Sequence, residues 1–174
     1  MKAATHCKVI GSKSDSARIP AINITLQNND TFKLGNSAIK VIECSGHTLG
    51  YIAFYLADAN ALFCGDTLFS MGCGRLFEGS AEQMWQSLTK FTQLPLDTQI
   101  YCAHEYSLAN AKFALSIEAN NAKLTQTIEH MTQLREDNTP TVPTSLKQEL
   151  ATNPFLRVNS VEIRSSLHLN SATE

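Results

Sequence analysis

The sequence predicts an α/β protein in which a strand-built layer is closed by a helical cap. Three observations lead there. Residues 1 to about 104 read as short apolar or alternating runs separated by turn residues, the pattern of strands. Residues after about 107 carry apolar positions at helical spacing. Between the two styles there is no regular alternation of strand and helix, so a wholly parallel, doubly wound sheet is not expected.

The elements follow in order. Cys7–Gly11 predicts a brief strand. Residues 19–27, which include Pro20, read as irregular. Phe32 and Leu34 lead into the Gly35-Asn36 turn, and a strand follows over Ile39–Cys44. Tyr51–Ala57 is an aromatic and β-branched run ended by Asp58-Ala59-Asn60. Ala61–Cys64 is then a short buried strand, making a hairpin with the preceding run. Ser80-Ala81-Glu82-Gln83 is a capping box, since a Ser followed three residues on by Gln satisfies two orphan amides. Met84, Trp85, Leu88 and Phe91 mark the buried face of the helix it opens. Gln99–Ala103 is another buried strand. Ser107 is placed to cap a helix with Leu108, Ala111 and Leu115 on one side. Leu124, Ile128, Met131 and Arg135 mark the next helix, and Thr139–Pro143 ends it. Ser145 to Gln148 caps a further short one.

Composition narrows the functional classes. The 174 residues suffice for one domain with a core, and the 43% hydrophobic content is that of a soluble globular protein. A formal net charge of −2 with no basic run gives no footprint for nucleic acid or an acidic membrane surface. The five cysteines are an odd number without C-x-x-C spacing, and Cys44, Cys64, Cys73 and Cys102 lie in or beside apolar runs. They read as reduced thiols and point to a reducing, cytoplasmic setting. No stretch is expected to span a bilayer, and Met1–Ser14 lacks the apolar core of a signal peptide.

The chemistry lies in three short strings: Gly46-His47-Thr48, Gly65-Asp66-Thr67 and Ala103-His104-Glu105. Each sets one metal-competent side chain just after a strand. Imidazole nitrogen and carboxylate oxygen suit Zn²⁺, Fe and Mn²⁺. An Asp can bridge two cations with its two oxygens, as hydrolytic two-metal sites require. Taken one at a time, His47 and His104 read more readily as packed or hydrogen-bonded histidines, and Asp66 as a turn or cap residue. The ordered set of three favours a metal site.

The segments CSGHTLGYIAFYL, GDTLFSMGCGRLFEGS, CAHEYSLAN and NPFLRV resemble glyoxalase II, the hydroxyacylglutathione hydrolase branch of the metallo-β-lactamase superfamily. The resemblance runs from about Lys8 to about Arg157. It implies an αββα sandwich, with its N-terminal part missing here, followed by a helical region. As domains this gives a partial metallo-β-lactamase-like unit over 1–106 and a glutathione-binding helical region over 107–174. It implies that Asp66 is the catalytic, bridging carboxylate. His47 and His104 would be ligands of the first and second of two divalent metals (Zn, Fe or Mn). It also implies that Arg75, Phe77, Tyr106 and Asn110 contact glutathione, with Phe77 standing where some members carry a Tyr. Arg75 paired with Glu78, and Tyr106 and Asn110 serving the start of a helix, are the plainer readings of the same residues.

The implied activity is hydrolysis of S-(2-hydroxyacyl)glutathione, such as S-lactoylglutathione, to glutathione and a 2-hydroxy carboxylate by a metal-bound hydroxide. The partner is thus a small-molecule glutathione thioester. Three departures qualify it. The His-x-His-x-Asp-His loop that should precede the first string is absent, and Tyr51 replaces the second His of the family's G-H-T-x-G-H string. His6 is a lone histidine and no substitute for the loop. A terminal basic helix is also absent before Ser171-Ala172-Thr173-Glu174. Both ends are therefore expected to be cut, leaving two protein donors per metal and an activity in question. Two alternatives stand beside the enzyme. One is a non-catalytic remnant that binds glutathione weakly. The other is a mono-iron persulfide dioxygenase-like protein, against which GCGRLFEG and AHEYSLAN argue.

Overall fold

Strands of two to seven residues are too short to bury themselves, and here they gain partners by assembling one mixed sheet. The computed structural model describes residues 2–169. In chain order the elements are α1 (Lys2–Thr5), β1 (Ile10–Ser12), β2 (Ile24–Leu26), β3 (Thr31–Leu34), β4 (Ser37–Glu43), β5 (Ile52–Leu56), β6 (Ala61–Gly65), β7 (Leu68–Phe69) and β8 (Gly72–Cys73). There follow α2 (Ala81–Thr92), β9 (Gln99–Cys102), α3 (Ser107–Ile117), α4 (Ala122–Glu136), β10 (Thr144–Ser145), α5 (Leu146–Thr152) and α6 (Val161–Ser166). The main sheet has the order β10-β9-β6-β5-β4-β3. Strands β3 to β6 form an antiparallel meander, and β9 lies parallel to β6 after the crossover through α2. Strands β1 and β2 pair in parallel, and β7 and β8 form a small antiparallel ribbon.

Local chemistry explains most boundaries. Strands β3 and β4 pair through Leu34 and Ser37, so the loop is the two residues Gly35-Asn36, with Gly35 at φ +59°. The capping box at α2 is complete: Ser80 Oγ accepts from the Gln83 amide and Gln83 Oε1 accepts from the Ser80 amide. Ser145 caps α5 by accepting from the Gln148 amide. Met84, Leu88 and Phe91 of α2 pack on Ile42, Ala53, Leu62, Cys64 and Ile100 of the sheet, with Leu146 of α5 completing this core. A second core joins α3 and α4 through Ala111, Ala114, Leu124 and Met131, and it takes in Met71 from the β7–β8 turn. The opposite sheet face carries the ring pairs Phe32–Phe54 and Phe63–Tyr101. Among the described residues no helix is long and apolar enough to cross a membrane.

Five expectations need correction. The first strand begins at Ile10 rather than Cys7, because the Asn23 side chain takes the Val9 amide and the Asn23 amide takes the Val9 carbonyl. The segment expected to be irregular contains β2, whose three residues are too few to show a period. Ser107 is the first residue of α3 and not its cap: it is buried, and its hydroxyl shares a hydrogen bond with that of Thr141. Trp85 is only partly buried at the edge of the α2 face. Arg135 is exposed and donates to the Thr139 carbonyl beyond the end of α4. Ser171–Glu174 lie outside the described residues.

Candidate metal and substrate cleft

Strand direction brings the three strings together. Strand β4 is antiparallel to β5, and β5 to β6, so β4 and β6 run the same way; β9 is parallel to β6. The carboxyl ends of all three therefore lie on one edge of the sheet, and the loops leaving them carry His47, Asp66 and His104. This is where open α/β sheets place their ligands.

The Asp66 carboxylate stands between the two imidazoles. Its Oδ1 is 3.1 Å from His104 Nε2 and its Oδ2 is 3.9 Å from His47 Nε2. Two donors on one tetrahedral cation, each bonded at about 2.0 Å, are separated by about 3.3 Å. The His104 spacing is close to such a ligand–ligand edge and the His47 spacing is longer, so these residues would hold a cation after a small adjustment of the His47 side. The donor chemistry and orientation fit two divalent metals. The number of donors does not close either shell, and among the described residues no group of three or more His, Cys, Asp and Glu side chains forms a self-sufficient metal site.

The orientation of these groups is built in. His47 Nδ1 lies 2.9 Å from the Arg75 carbonyl oxygen. A carbonyl only accepts, so Nδ1 carries the proton and Nε2 presents its lone pair toward Asp66. Tyr51 fixes Asp66: its hydroxyl donates to Oδ2 at 3.1 Å and accepts from the Asp66 amide at 2.9 Å. Burial pushes the Tyr51 phenol up to about 12 against the lowering effect of the Asp66 amide, with the Asp66 carboxylate adding to the rise, so it remains a neutral donor. Two glycines make room. Gly65 has φ +54°, and a Cβ there would sit 2.2 Å from the Tyr51 hydroxyl; a Cβ on Gly74 would sit 1.8 Å from the Asp66 carbonyl oxygen.

A cleft of about 940 Å³ opens in front of the carboxylate, and His47, Asp66, Arg75, Phe77, His104, Tyr106 and Asn110 all line it. The sequence-predicted residues are therefore gathered in one place, while His6 lies outside the lining. Arg75 is exposed and is not paired with Glu78, whose carboxylate instead binds Arg18 at 2.5 and 3.1 Å and the Leu49 amide at 3.0 Å. Phe77 is 68% exposed, with its ring 4.9 Å from that of His47, so it walls the cleft and does not pack in the core. Tyr106 stacks on His104 at 4.9 Å and makes no side-chain cap for α3. The Asn110 amide donates to the Ser70 carbonyl at 2.9 Å, which ties α3 to the β7–β8 turn. Cys73 also lines the cleft, and burial pushes its thiol up to about 12, which disfavours the thiolate.

Sequence reasoning missed two contributors. Tyr51 was visible as a departure from G-H-T-x-G-H, but its contact with Asp66 was not. Phe69, lying against His104 at 6.0 Å and Tyr106 at 5.4 Å, gave no signal beyond its place after Gly65-Asp66-Thr67.

Comparison with known proteins bears on the family of the chain. Residues 7–104 match the metallo-beta-lactamase superfamily, and residues 105–174 match the hydroxyacylglutathione hydrolase C-terminus. The hydroxyacylglutathione hydrolase of Methylococcus capsulatus is 51% identical over the whole chain, which covers 68% of that protein. That of Hyphomonas neptunium is 46% identical over 96% of the chain and 65% of its own length. The chain thus spans about two thirds of the length of these relatives. Among solved structures, ETHE1 from Myxococcus xanthus aligns with a TM-score of 0.66 at 22% identity, covering 99% of this chain and 62% of that one, a likeness of fold alone. On its sequence relatives and its two matched families, the chain belongs to the hydroxyacylglutathione hydrolase family of the metallo-beta-lactamase superfamily, a family of hydrolases.

Proposed function

We propose that the cleft takes an S-(2-hydroxyacyl)glutathione and that this chain supplies the bridging half of a two-metal thioester hydrolase site. The observation that carries the proposal is the carboxylate of Asp66 held between His47 Nε2 and His104 Nε2 at the floor of the cleft. Two divalent cations, of zinc, iron or manganese, would there acidify a water and polarise the thioester carbonyl. The chain's own residues do the rest. Asp66 offers one oxygen to each side, with Tyr51 holding its Oδ2 and so limiting rotation of the carboxylate. The Arg75 carbonyl keeps the His47 proton on Nδ1. The Arg75 guanidinium is free to meet a glutathione carboxylate, Tyr106 and Phe77 offer ring surface to its backbone, and Asn110 stands beside them. The leaving group is a thiolate, stable enough to depart without a strong general acid.

Residues 1–106 act in this reading as the partial metal-binding unit and 107–174 as the glutathione-binding region, a division supported by the two matched families. The five unpaired cysteines support a cytoplasmic setting. A second reading, weak glutathione binding without turnover by residues 1–174 alone, is favoured by the count of two donors per metal.

One experiment separates the readings. Thioester loss from S-lactoylglutathione is followed with added Zn²⁺, Fe²⁺ or Mn²⁺, alongside elemental analysis after mild chelation. The 174-residue chain should hold well under one metal and turn over no faster than a His47→Ala, Asp66→Ala variant. Supplying a segment with a His-x-His-x-Asp-His loop should recover metal and hydrolysis together. Failure of that segment to restore either would overturn the two-metal reading. Asp66-dependent turnover by the 174 residues alone would mean that other ligands complete the site.

A further inference from the structure

The turn from Phe69 to Gly72, between β7 and β8, forms part of the cleft, and its backbone is bonded to side chains from distant helices. Asn153 Nδ2 donates to the Phe69 carbonyl at 3.1 Å and to the Gly72 carbonyl at 2.9 Å. Asn110 Nδ2 donates to the Ser70 carbonyl. The Met71 amide donates to Glu149 Oε2 at 2.8 Å, and the same oxygen accepts from Asn153 at 3.0 Å. Glu149 Oε1 accepts from the Thr144 hydroxyl at 2.8 Å. Glu149 and Asn153 have no exposed surface.

A buried carboxylate is costly where packing is the only need, since an apolar side chain of similar volume would fill the space without desolvating a charge. What Glu149 supplies is an acceptor for an amide that has no strand partner. Met71 has φ +54°, a left-handed conformation that a residue with a Cβ rarely adopts without support. That conformation sends the Met71 side chain into the α3–α4 core, while Phe69, two residues earlier, places its ring against His104 and Tyr106.

We propose that Glu149, with Asn153 and Asn110, is a positioning clamp: it holds the Phe69–Gly72 turn in its left-handed form and thereby sets the Phe69 ring against the His104–Tyr106 wall of the cleft. The effect on ligand affinity rests on the reading of the cleft as a glutathione site; the effect on the turn does not.

The test uses isotope-labelled 174-residue chain: the parent, Glu149→Ala, Glu149→Gln and Thr144→Val. Amide exchange at Met71 is measured against the amides of α2 in the same sample. The ring resonances of Phe69, His104 and Tyr106 are recorded, and glutathione is titrated in. Loss of the hydrogen bond that holds the Met71 amide predicts that Glu149→Ala speeds Met71 exchange, relative to α2, by about tenfold. It should also shift the three ring signals and weaken glutathione binding. Glu149→Gln should restore all three, because its carbonyl can replace Oε2 while its amide group faces the Thr144 hydroxyl oxygen. A lowered unfolding midpoint with an unchanged exchange ratio and unshifted rings would mean a stability role only and would overturn the clamp. If Glu149→Ala does not fold, Thr144→Val decides by the same ratio: a rise at Met71 supports the clamp and no change overturns it. A parent that binds no glutathione would refute the substrate reading, while the exchange ratio and ring signals still judge the clamp.

Discussion

Replacing Tyr51 with Phe removes one oxygen and leaves the ring, so it isolates the hydroxyl that fixes Asp66. Two hydrogen bonds go with it: the donation to Asp66 Oδ2 at 3.1 Å and the acceptance from the Asp66 amide at 2.9 Å. A bond to a charged group contributes about 1.5–3 kcal/mol and a neutral one about 0.5–1.5 kcal/mol. The Asp66 side chain is 21% exposed, so water replaces part of the lost contact and the low ends of these ranges apply. The sum is a destabilisation of about 2 kcal/mol, a factor of about 30 in the folding equilibrium. A second effect falls on the metal, because an unanchored carboxylate must be reordered on binding; loss of such a supporting hydrogen bond typically lowers metal affinity about 10–100-fold. Urea unfolding of the metal-free chain reads the first effect, and Zn²⁺ competition against a chromophoric chelator, using the chain completed by the His-x-His-x-Asp-His segment, reads the second. If Tyr51→Phe unfolds within about 0.5 kcal/mol of the parent and competes equally for zinc, Tyr51 does not hold Asp66 and the preorganisation argument fails.

Two further outcomes are expected. Glu118 is buried beneath Arg157, with which it makes bonds of 2.6 and 2.9 Å. Burial alone would raise its carboxyl, but hydrogen bonds from Arg157, Asn121 and Ser160 outweigh it and hold the group below the usual carboxylate range. The folded protein therefore binds this proton more weakly than the unfolded chain. The stabilisation is complete above the unfolded carboxyl's 4.5 and is lost as pH falls through the depressed folded value. Glu118→Gln should cost about 2–3 kcal/mol at neutral pH and progressively less in acid, read by urea unfolding across pH; a pH-independent cost would refute the assignment. Arg75→Ala should weaken glutathione binding about 10–100-fold without altering the unfolding midpoint, since the guanidinium makes no ion pair among the described residues; calorimetry giving equal affinities would remove Arg75 from the cleft.

What could be read from the sequence was local. The α2 capping box and the Ser145 cap of α5 are contacts between residues three apart, so they are written in adjacent letters. Strand β2 was lost because Ile24–Leu26 is shorter than the window that reveals alternation. Local reasoning also misled: Arg75 and Glu78 are spaced for an ion pair, yet Glu78 is held by Arg18, sixty positions away in the chain. Glu149 left a signal that could have been used. It falls with Leu146 and Asn153 on one stripe of a short helix, and an acidic residue on the inward stripe needs a buried donor.

The site residues follow the same division between letter and contact. Each candidate ligand could be located, because a metal-competent side chain after a strand and beside a small residue is a local pattern. What aims each ligand could not be. The proton on His47 is placed by the Arg75 carbonyl, Asp66 is aimed by Tyr51 from across the β5–β6 hairpin, and the wall beside His104 is pressed into place by a turn that α3 and α5 hold. Those supports come from both the sheet and the helices, so the wall of the cleft beside His104 depends on the helical region even though none of the three candidate metal ligands lies on a helix. A sheet alone would bring His47, Asp66 and His104 to one edge; Arg75 and Tyr51 then orient the first two, while the wall beside His104 draws on residues that follow it. On the proposed reading the segment from Tyr106 to Asn153 therefore has two parts in the cleft, offering Tyr106 and Asn110 to a ligand and ordering the Phe69–Gly72 turn through Glu149 and Asn153.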